Sequence, residues 1–250
     1  MRYVLHDGGS VSWPILAVIV LLAAALQTVA GFGFALLVMP VLTLLLGIKT
    51  AAPLVAVVGF VLYAVNLLRY RRGLVWRETL QLLLPALAGV LVGVLALRTL
   101  DENLIKGVLG VVLVAYALFA LLKPALPPLH STVWAYPVGF LAGCLGGAFN
   151  TPGPPVIVYG NARAWPRDQF RSTLQVVFLA SSATVIAAHV VTGSYTPEVA
   201  RLVLVALPAL AAGILLGAAL DRRLNQAEQL AGTFRLGGRR WPSQAKEAEE

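Results

Sequence analysis

The stretch "GGAFNTPGPPVIVYG", residues 146–160, interrupts a long apolar run with Asn150, Thr151, Pro152, Gly153, Pro154 and Pro155 in one window. Proline lacks a backbone N–H and clashes with the preceding helical turn, so this cluster stops a helix. An amide beside a hydroxyl gains nothing from hydrocarbon. Backbone that is not helical at membrane depth is tolerated only where it is buried in protein or lines a wet cavity. The window therefore reads as a deliberate break inside a membrane segment.

The composition supports a membrane setting. Of 250 residues, 59% are hydrophobic and 12% charged, with a mean hydropathy of +0.83. A soluble domain runs nearer 45–50% apolar and about 25% charged. Several windows reach the roughly 20 apolar residues that cross a hydrocarbon core about 30 Å thick. The net charge of +8 sits in short loops between apolar blocks rather than on a basic face interleaved with aromatics, so no nucleic-acid partner is expected. The single cysteine, Cys144, makes no internal disulfide, and no cluster has metal-ligand spacing, so neither metal nor cofactor is expected. The N-terminus has the outline of a secretory leader, with Arg2, an apolar run at 15–26 and small Ala30. However, Asp7 weakens its positive end and the apolar pattern continues to Leu46, so a retained span is the expectation.

The apolar blocks fall at 13–46, interrupted by "GFGF" at 31–34, then at 51–68, 80–97 and 104–122. A second interrupted block covers 136–159, and two more uninterrupted spans follow at 170–191 and 199–220. Arginines concentrate after the second block (Arg69, Arg71, Arg72, Arg77), after the second broken block (Arg163, Arg167, Arg171) and in the tail (Arg222, Arg223, Arg235, Arg239, Arg240). By the positive-inside rule these three regions, the C-terminal tail included, are cytoplasmic. The span at 104–122 returns the chain to that side at Lys123, so block 136–159 enters and leaves on one face, as a hairpin. By analogy block 13–46 is a hairpin from the opposite face.

The halves repeat. "LLLPALAGVLVGVLALRTL" begins at Leu82 and "LVALPALAAGILLGAAL" at Leu204; each carries a small-xxx-small pair, Gly89 with Gly93 and Gly213 with Gly217. Such pairs let helix backbones approach closely. Each half opens with a broken block, giving an all-α polytopic membrane protein with a first repeat over 1–125, an inverted, incomplete second over 131–223 and a polar tail over 224–250. Inverted repeats are a common build of secondary transporters, with the substrate held between the copies near the midplane.

The breaks supply the candidate site. Asn150 or Thr151 is the expected N-cap of a short helix beginning near Pro154, its positive end facing the break. Gly31 and Gly33 flank Phe32 in the first break and expose backbone N–H groups. The acids agree by their absence: all eleven Asp and Glu lie in loops or at span ends, which disfavours a cation or metal pump and favours a small oxyanion. Gln27 and Thr28, one turn before "GFGF", and Gln175 and Ser181, in the span after the second hairpin, complete the candidate set. Asn66 reads as a bridge between helices, and His189 as a hydrogen-bonded interfacial residue. An intramembrane enzyme is disfavoured: Ser181 and Ser182 lie about 11 Å along the helix axis from His189, and no nucleophile elbow surrounds them.

With "AGFGFALLVMPVL" opening one half and "GCLGGAFNTPGPPVIVYG" the other, the chain resembles the sulfite exporter TauE/SafE family of membrane permeases. The resemblance implies transport of sulfite or related small sulfur oxyanions and organosulfonates across the bacterial cytoplasmic membrane. It places Gly31, Phe32, Gly33, Asn150, Thr151, Pro152, Gly153 and Pro154 around the substrate. Export by alternating access is the expected activity; an anion channel, an uptake permease or a non-transporting scaffold of the same fold are the alternatives. One departure stands out. The stretch matching the family's final span, "LNQAEQLAGTFRLGGRRWPSQAKEAEE", is polar. The second repeat thus lacks its last helix, leaving a groove for a partner or a second copy of the chain to cover, or the reading frame is altered near the end.

Overall fold

The computed structural model describes residues 2–4, 10–122 and 127–236. Asp7, Lys123 and residues 237–250 of the expected tail lie outside the described residues. A short antiparallel pair, β1 (Arg2–Val4) with β2 (Ser10–Ser12), precedes the helices. These are α1 (Trp13–Ala30), α2 (Phe34–Leu46), α3 (Ile48–Tyr70), α4 (Trp76–Thr99), α5 (Glu102–Leu122), α6 (Ala135–Phe149), α7 (Gly153–Ala162), α8 (Arg167–Val191) and α9 (Pro197–Leu236). Every apolar block of the sequence is a helix, and both broken blocks are pairs of helices. The expected final span ended at Leu220, but α9 runs on as helix to Leu236.

Among the described residues, seven helical segments are long and apolar enough to cross a membrane: α1, α3, α4, α5, the segment Thr132–Phe149 that contains α6, α8 and α9. The protein is thus an all-α polytopic membrane protein. Its outward leucines and valines agree, since Leu121 and Leu122 of α5 are 78% and 74% exposed, which costs little against lipid tails. The two hairpins are asymmetric. α1 and the Thr132–Phe149 segment have 18 residues each, whereas α2 has 13 and α7 only 10.

The glycine pairs explain how the halves lock together. A Cβ added at Gly89 or Gly93 of α4 would lie 2.1 Å from the carbonyl oxygen of Phe140 or Cys144 of α6. Reciprocally, one at Gly139, Gly143 or Gly147 of α6 would lie 2.0–2.3 Å from the carbonyl oxygens of Leu82, Ala86 or Val90 of α4. The contacts advance together along both chains, so α4 and α6 run parallel with their backbones touching. In the other half, Gly213 and Gly217 of α9 meet the carbonyls of Leu21 and Ala25 of α1 in the same parallel sense, at 2.4 and 2.6 Å from an added Cβ. The corresponding glycine pair of each half thus packs on the long hairpin arm that opens the opposite half.

The same geometry gathers the loops into two faces. On one, Arg69, Arg167 and Arg171 converge on Asp221, Arg163 pairs with Glu78, and Gly73 packs against Asp168. On the other, the starts of α3 and α9 and the ends of α4 and α8 surround one cavity. Two residues depart from the sequence reading here. Asp221, counted by sequence among the acids at span ends, is 4% exposed; Arg171, read as a loop charge, is equally buried. Burying a carboxylate requires compensation, and the three arginines and the Tyr70 hydroxyl, 3.3 Å away, supply it. Tyr70 also donates to Thr28 O at 2.9 Å, and Arg171 donates to Val29 O, so the cluster holds the end of α1 beside the first break.

Candidate functional site

The first break is a turn only glycine adopts cheaply. Gly31 and Gly33 have φ of +87° and +113°, in the left-handed region where other residues are strained. Gln27 fastens it from within the same segment: its Nε2 donates to Gly31 O at 3.1 Å and its Oε1 accepts from the N–H of Phe34 at 2.9 Å. Gln175 of α8 donates to the same Gly31 O at 2.7 Å. Both glutamines are wholly buried.

The second break is built differently. Asn150 ends α6 in the left-handed conformation, φ +54°, which asparagine tolerates better than other side-chain-bearing residues. Its N–H donates to Gly146 O at 2.9 Å and that of Thr151 to Leu145 O at 3.3 Å. The expected N-cap role is therefore corrected: Pro152 is the N-cap residue of α7, with no side-chain cap bond, and the helix starts at Gly153. Asn150 Nδ2 instead reaches across the molecule to Ala52 O of α3, 2.9 Å away. The buried Oδ1 of Asn150 and hydroxyl of Thr151 have no hydrogen-bond partner among the described residues.

The two breaks meet. Gln27, Gly33, Ala35 and Leu36 from the first and Asn150, Thr151, Pro152 and Gly153 from the second line one small cavity, closed by Tyr63 and Phe178. Those two rings are 5.2 Å apart between centroids. By their lengths, α7 extends about 15 Å and α2 about 20 Å, together somewhat more than a hydrocarbon core of about 30 Å. Their N-termini therefore overlap in depth, and two positive dipole ends, each about half an elementary charge, point into one place. Pro154 and Pro155 have no N–H, so Gly153 is the first-turn donor of α7. Ala35 and Leu36 occupy the first turn of α2, where N–H groups lack intrahelical partners. Among the described residues, no carboxylate lines the cavity. A cavity edged by neutral donors and helix N-termini suits a small anion. Its volume of about 10 Å³ leaves room for about one water, so this is a closed arrangement.

Of the twelve sequence candidates, the structure brings Gln27, Gly33, Asn150, Thr151, Pro152 and Gly153 to this cavity. Six lie elsewhere. Thr28 packs against Gly217 and Gly31 against Arg171, the Phe32 ring meets Tyr116 and Phe170, and Pro154 lines an apolar groove beside α5. Gln175 anchors Gly31 O, and Ser181 packs against Gly146 with its hydroxyl buried and unpartnered. Sequence reasoning missed Tyr63 and Phe178, whose apolar character in spans gave no signal, and the donors of Ala35 and Leu36, which belong to backbone. Asn66 is buried without a hydrogen-bond partner among the described residues rather than bridging helices, and His189 likewise has none at either ring nitrogen.

Two interrupted helix pairs from opposite halves, meeting tip to tip inside a bundle of apolar spans, define a polytopic membrane protein of permease architecture. The chain belongs to the sulfite exporter TauE/SafE family, whose sequence model matches residues 16–235, and this is a family of membrane transporters. It is similar to the "Probable sulfite/organosulfonate exporter TauE" of Cupriavidus necator, 34% identical over 178 residues that cover 68% of this chain and 69% of the relative. No solved structure matches it.

Proposed function

We propose that the protein is a secondary transporter that exports sulfite or a related small sulfur oxyanion or organosulfonate across the bacterial cytoplasmic membrane. The anion is held between the two helix breaks. The observation that carries this reading is the convergence of the α2 and α7 N-termini, with Asn150 and Thr151, on one cavity that no carboxylate lines among the described residues. Family membership and the relative's name supply the substrate class.

Access alternates between the two faces. The closed cavity supports this over a continuous pore, because a channel needs a wet path and this junction has room for about one water. The arginine-rich face is cytoplasmic, together with the C-terminal tail. Residues 1–125 and 131–223 act as two inverted repeats, and the crosswise packing of their glycine pairs supports that division. A partner protein or a second copy of the chain covers the side of the second repeat where, among the described residues, no helix corresponds to α5.

The test is sulfite flux in proteoliposomes carrying the full chain, with and without an imposed pH gradient. Saturable flux that responds to the gradient is expected, with organosulfonates competing. Flux that grows linearly with sulfite concentration and resists competition would instead describe a pore, and no flux would remove the transporter reading.

A further inference from the structure

On the face opposite the arginine cluster, a cavity of about 330 Å³ is lined by Lys49 and Thr50 of α3, Leu97 and Arg98 of α4, His189 of α8, Ser194 and Thr196 of the following loop, and Val199 of α9. It falls within the size range of small-ligand sites. Two basic side chains and three hydroxyl-bearing residues line it, with no acidic residue among the described lining residues. Glu198, the acid nearest in sequence, is not among the lining residues.

His189 gives this cavity a built polar floor. The side chain is 4% exposed, and neither ring nitrogen has a hydrogen-bond partner among the described residues. Buried polar groups are nearly always satisfied, so an unpartnered imidazole facing a polar cavity needs a partner from within it. The ring is held edge-on against Tyr195, with centroids 6.2 Å apart, and the Ser194 N–H donates to His189 O at 3.0 Å. The orientation is thus fixed by packing, while the polar atoms stay free. Lys49 also lies three residues, about 4.5 Å of helix rise, before Ala52, whose carbonyl receives Asn150 from the hairpin junction. The first turn of α3 links the two cavities.

We infer that Lys49, Arg98 and His189, with Thr50, Ser194 and Thr196, form a second oxyanion site, distinct from the hairpin junction and on the opposite side of the protein from the arginine cluster. Its ligand is a small sulfonate- or sulfite-type anion; only that choice of ligand rests on the transport reading. Lys49 and Arg98 supply charge-assisted hydrogen bonds, and the unpartnered imidazole supplies an N–H.

The experiment is a titration of the full chain, ring-labelled at histidine and held in nanodiscs, with sulfite and with methanesulfonate. The His189 resonance is assigned by its loss in His189→Gln. It is expected to shift saturably in the wild type and in the junction variant Asn150→Gly/Thr151→Val. In Lys49→Gln/Arg98→Gln the half-saturation concentration should rise about tenfold or more. The charge-retaining Lys49→Arg/Arg98→Lys variant, expected to keep a saturable shift and to be weakened less than the charge-removed variant, guards against misfolding. Three results would overturn the inference: a His189 signal unmoved by both anions, an equal shift in the charge-removed variant, or loss of the shift in the junction variant. Proteoliposome flux reports separately on transport, so an intact His189 titration without flux would keep this site and remove that reading.

Discussion

Asn150 donates from its side-chain amide to the carbonyl oxygen of Ala52 at 2.9 Å, joining residues 98 positions apart in sequence. This one bond ties the tip of the second hairpin to α3, the helix that follows the first. Asn150 therefore does two things: it adopts the left-handed turn that ends α6, and it fixes where that turn sits.

The two roles separate by substitution. Asn150→Gly keeps the turn and removes the bond, so stability should fall by only about 1 kcal/mol. Asn150→Ala also loses the conformational tolerance and should cost about 1–2 kcal/mol more. Thermal unfolding of the purified variants ranks them; equal losses would mean that the left-handed turn carries no weight.

The α4–α6 seam leaves no room for a side chain. A Cβ at Gly143 would lie 2.0 Å from Ala86 O, which is backbone and cannot rotate away. Gly143→Ala should destabilise by about 3 kcal/mol, at the upper end of overpacking costs, and Gly143→Leu should prevent accumulation of folded protein. Gly107 and Gly110 of α5 have nothing within 4 Å of an added Cβ, so Ala at either should be neutral in the same expression and unfolding assay.

Asp221 is the hub of the buried charge cluster, with Arg171 at 3.1 Å, Arg167 at 3.4 Å and Arg69 at 3.7 Å. Removing the carboxylate on which these contacts converge leaves the buried Arg171 guanidinium without an acidic partner among the described residues, so Asp221→Ala should cost about 3–5 kcal/mol. The solvent-exposed pair Lys106 with Glu102, 2.8 Å apart, offers the contrast, and Glu102→Ala should cost no more than about 0.5 kcal/mol. Similar losses at both sites, read by unfolding in detergent, would deny the cluster its structural role.

The first break depends on two glutamines that share one acceptor, Gly31 O. Gln175→Leu removes one of two donors to that carbonyl and should cost about 1 kcal/mol. Gln27→Leu also strands the N–H of Phe34, which Gln27 Oε1 accepts, so its cost should reach about 2–3 kcal/mol. Flux should fall in the same order, because both substitutions loosen the start of α2. Flux unchanged in a folded Gln27→Leu variant would separate the break from transport.

Much of this architecture is legible in the sequence, because lipid imposes a single solution on apolar segments and prolines and glycines mark where it fails. "GFGF" and "NTPGPP" identify both breaks, and the glycine pairs at Gly89 and Gly213 identify both seams. The partners of those seams are less accessible, since α4 and α9 each pack on a hairpin arm from the other half. Charge is where the sequence misleads most. Positive-inside counting treats Arg171 as a loop residue, yet its aliphatic stem packs on Gly31 and its head is buried against Asp221. Side-chain role is similarly opaque. Gln27, Asn150 and Gln175 all read as polar residues near a break, and only the fold assigns Gln175 to anchoring and the other two to the cavity.

The most direct test of the central claim is sulfite binding by the purified full chain, compared among wild type, Asn150→Gly and Thr151→Val. Sulfite should protect the wild type against thermal unfolding, and each substitution should weaken its affinity about tenfold or more, while the sulfite-free unfolding temperature moves little in Thr151→Val. Wild-type affinity for sulfite in both variants would contradict an anion site at the junction of the two helix breaks.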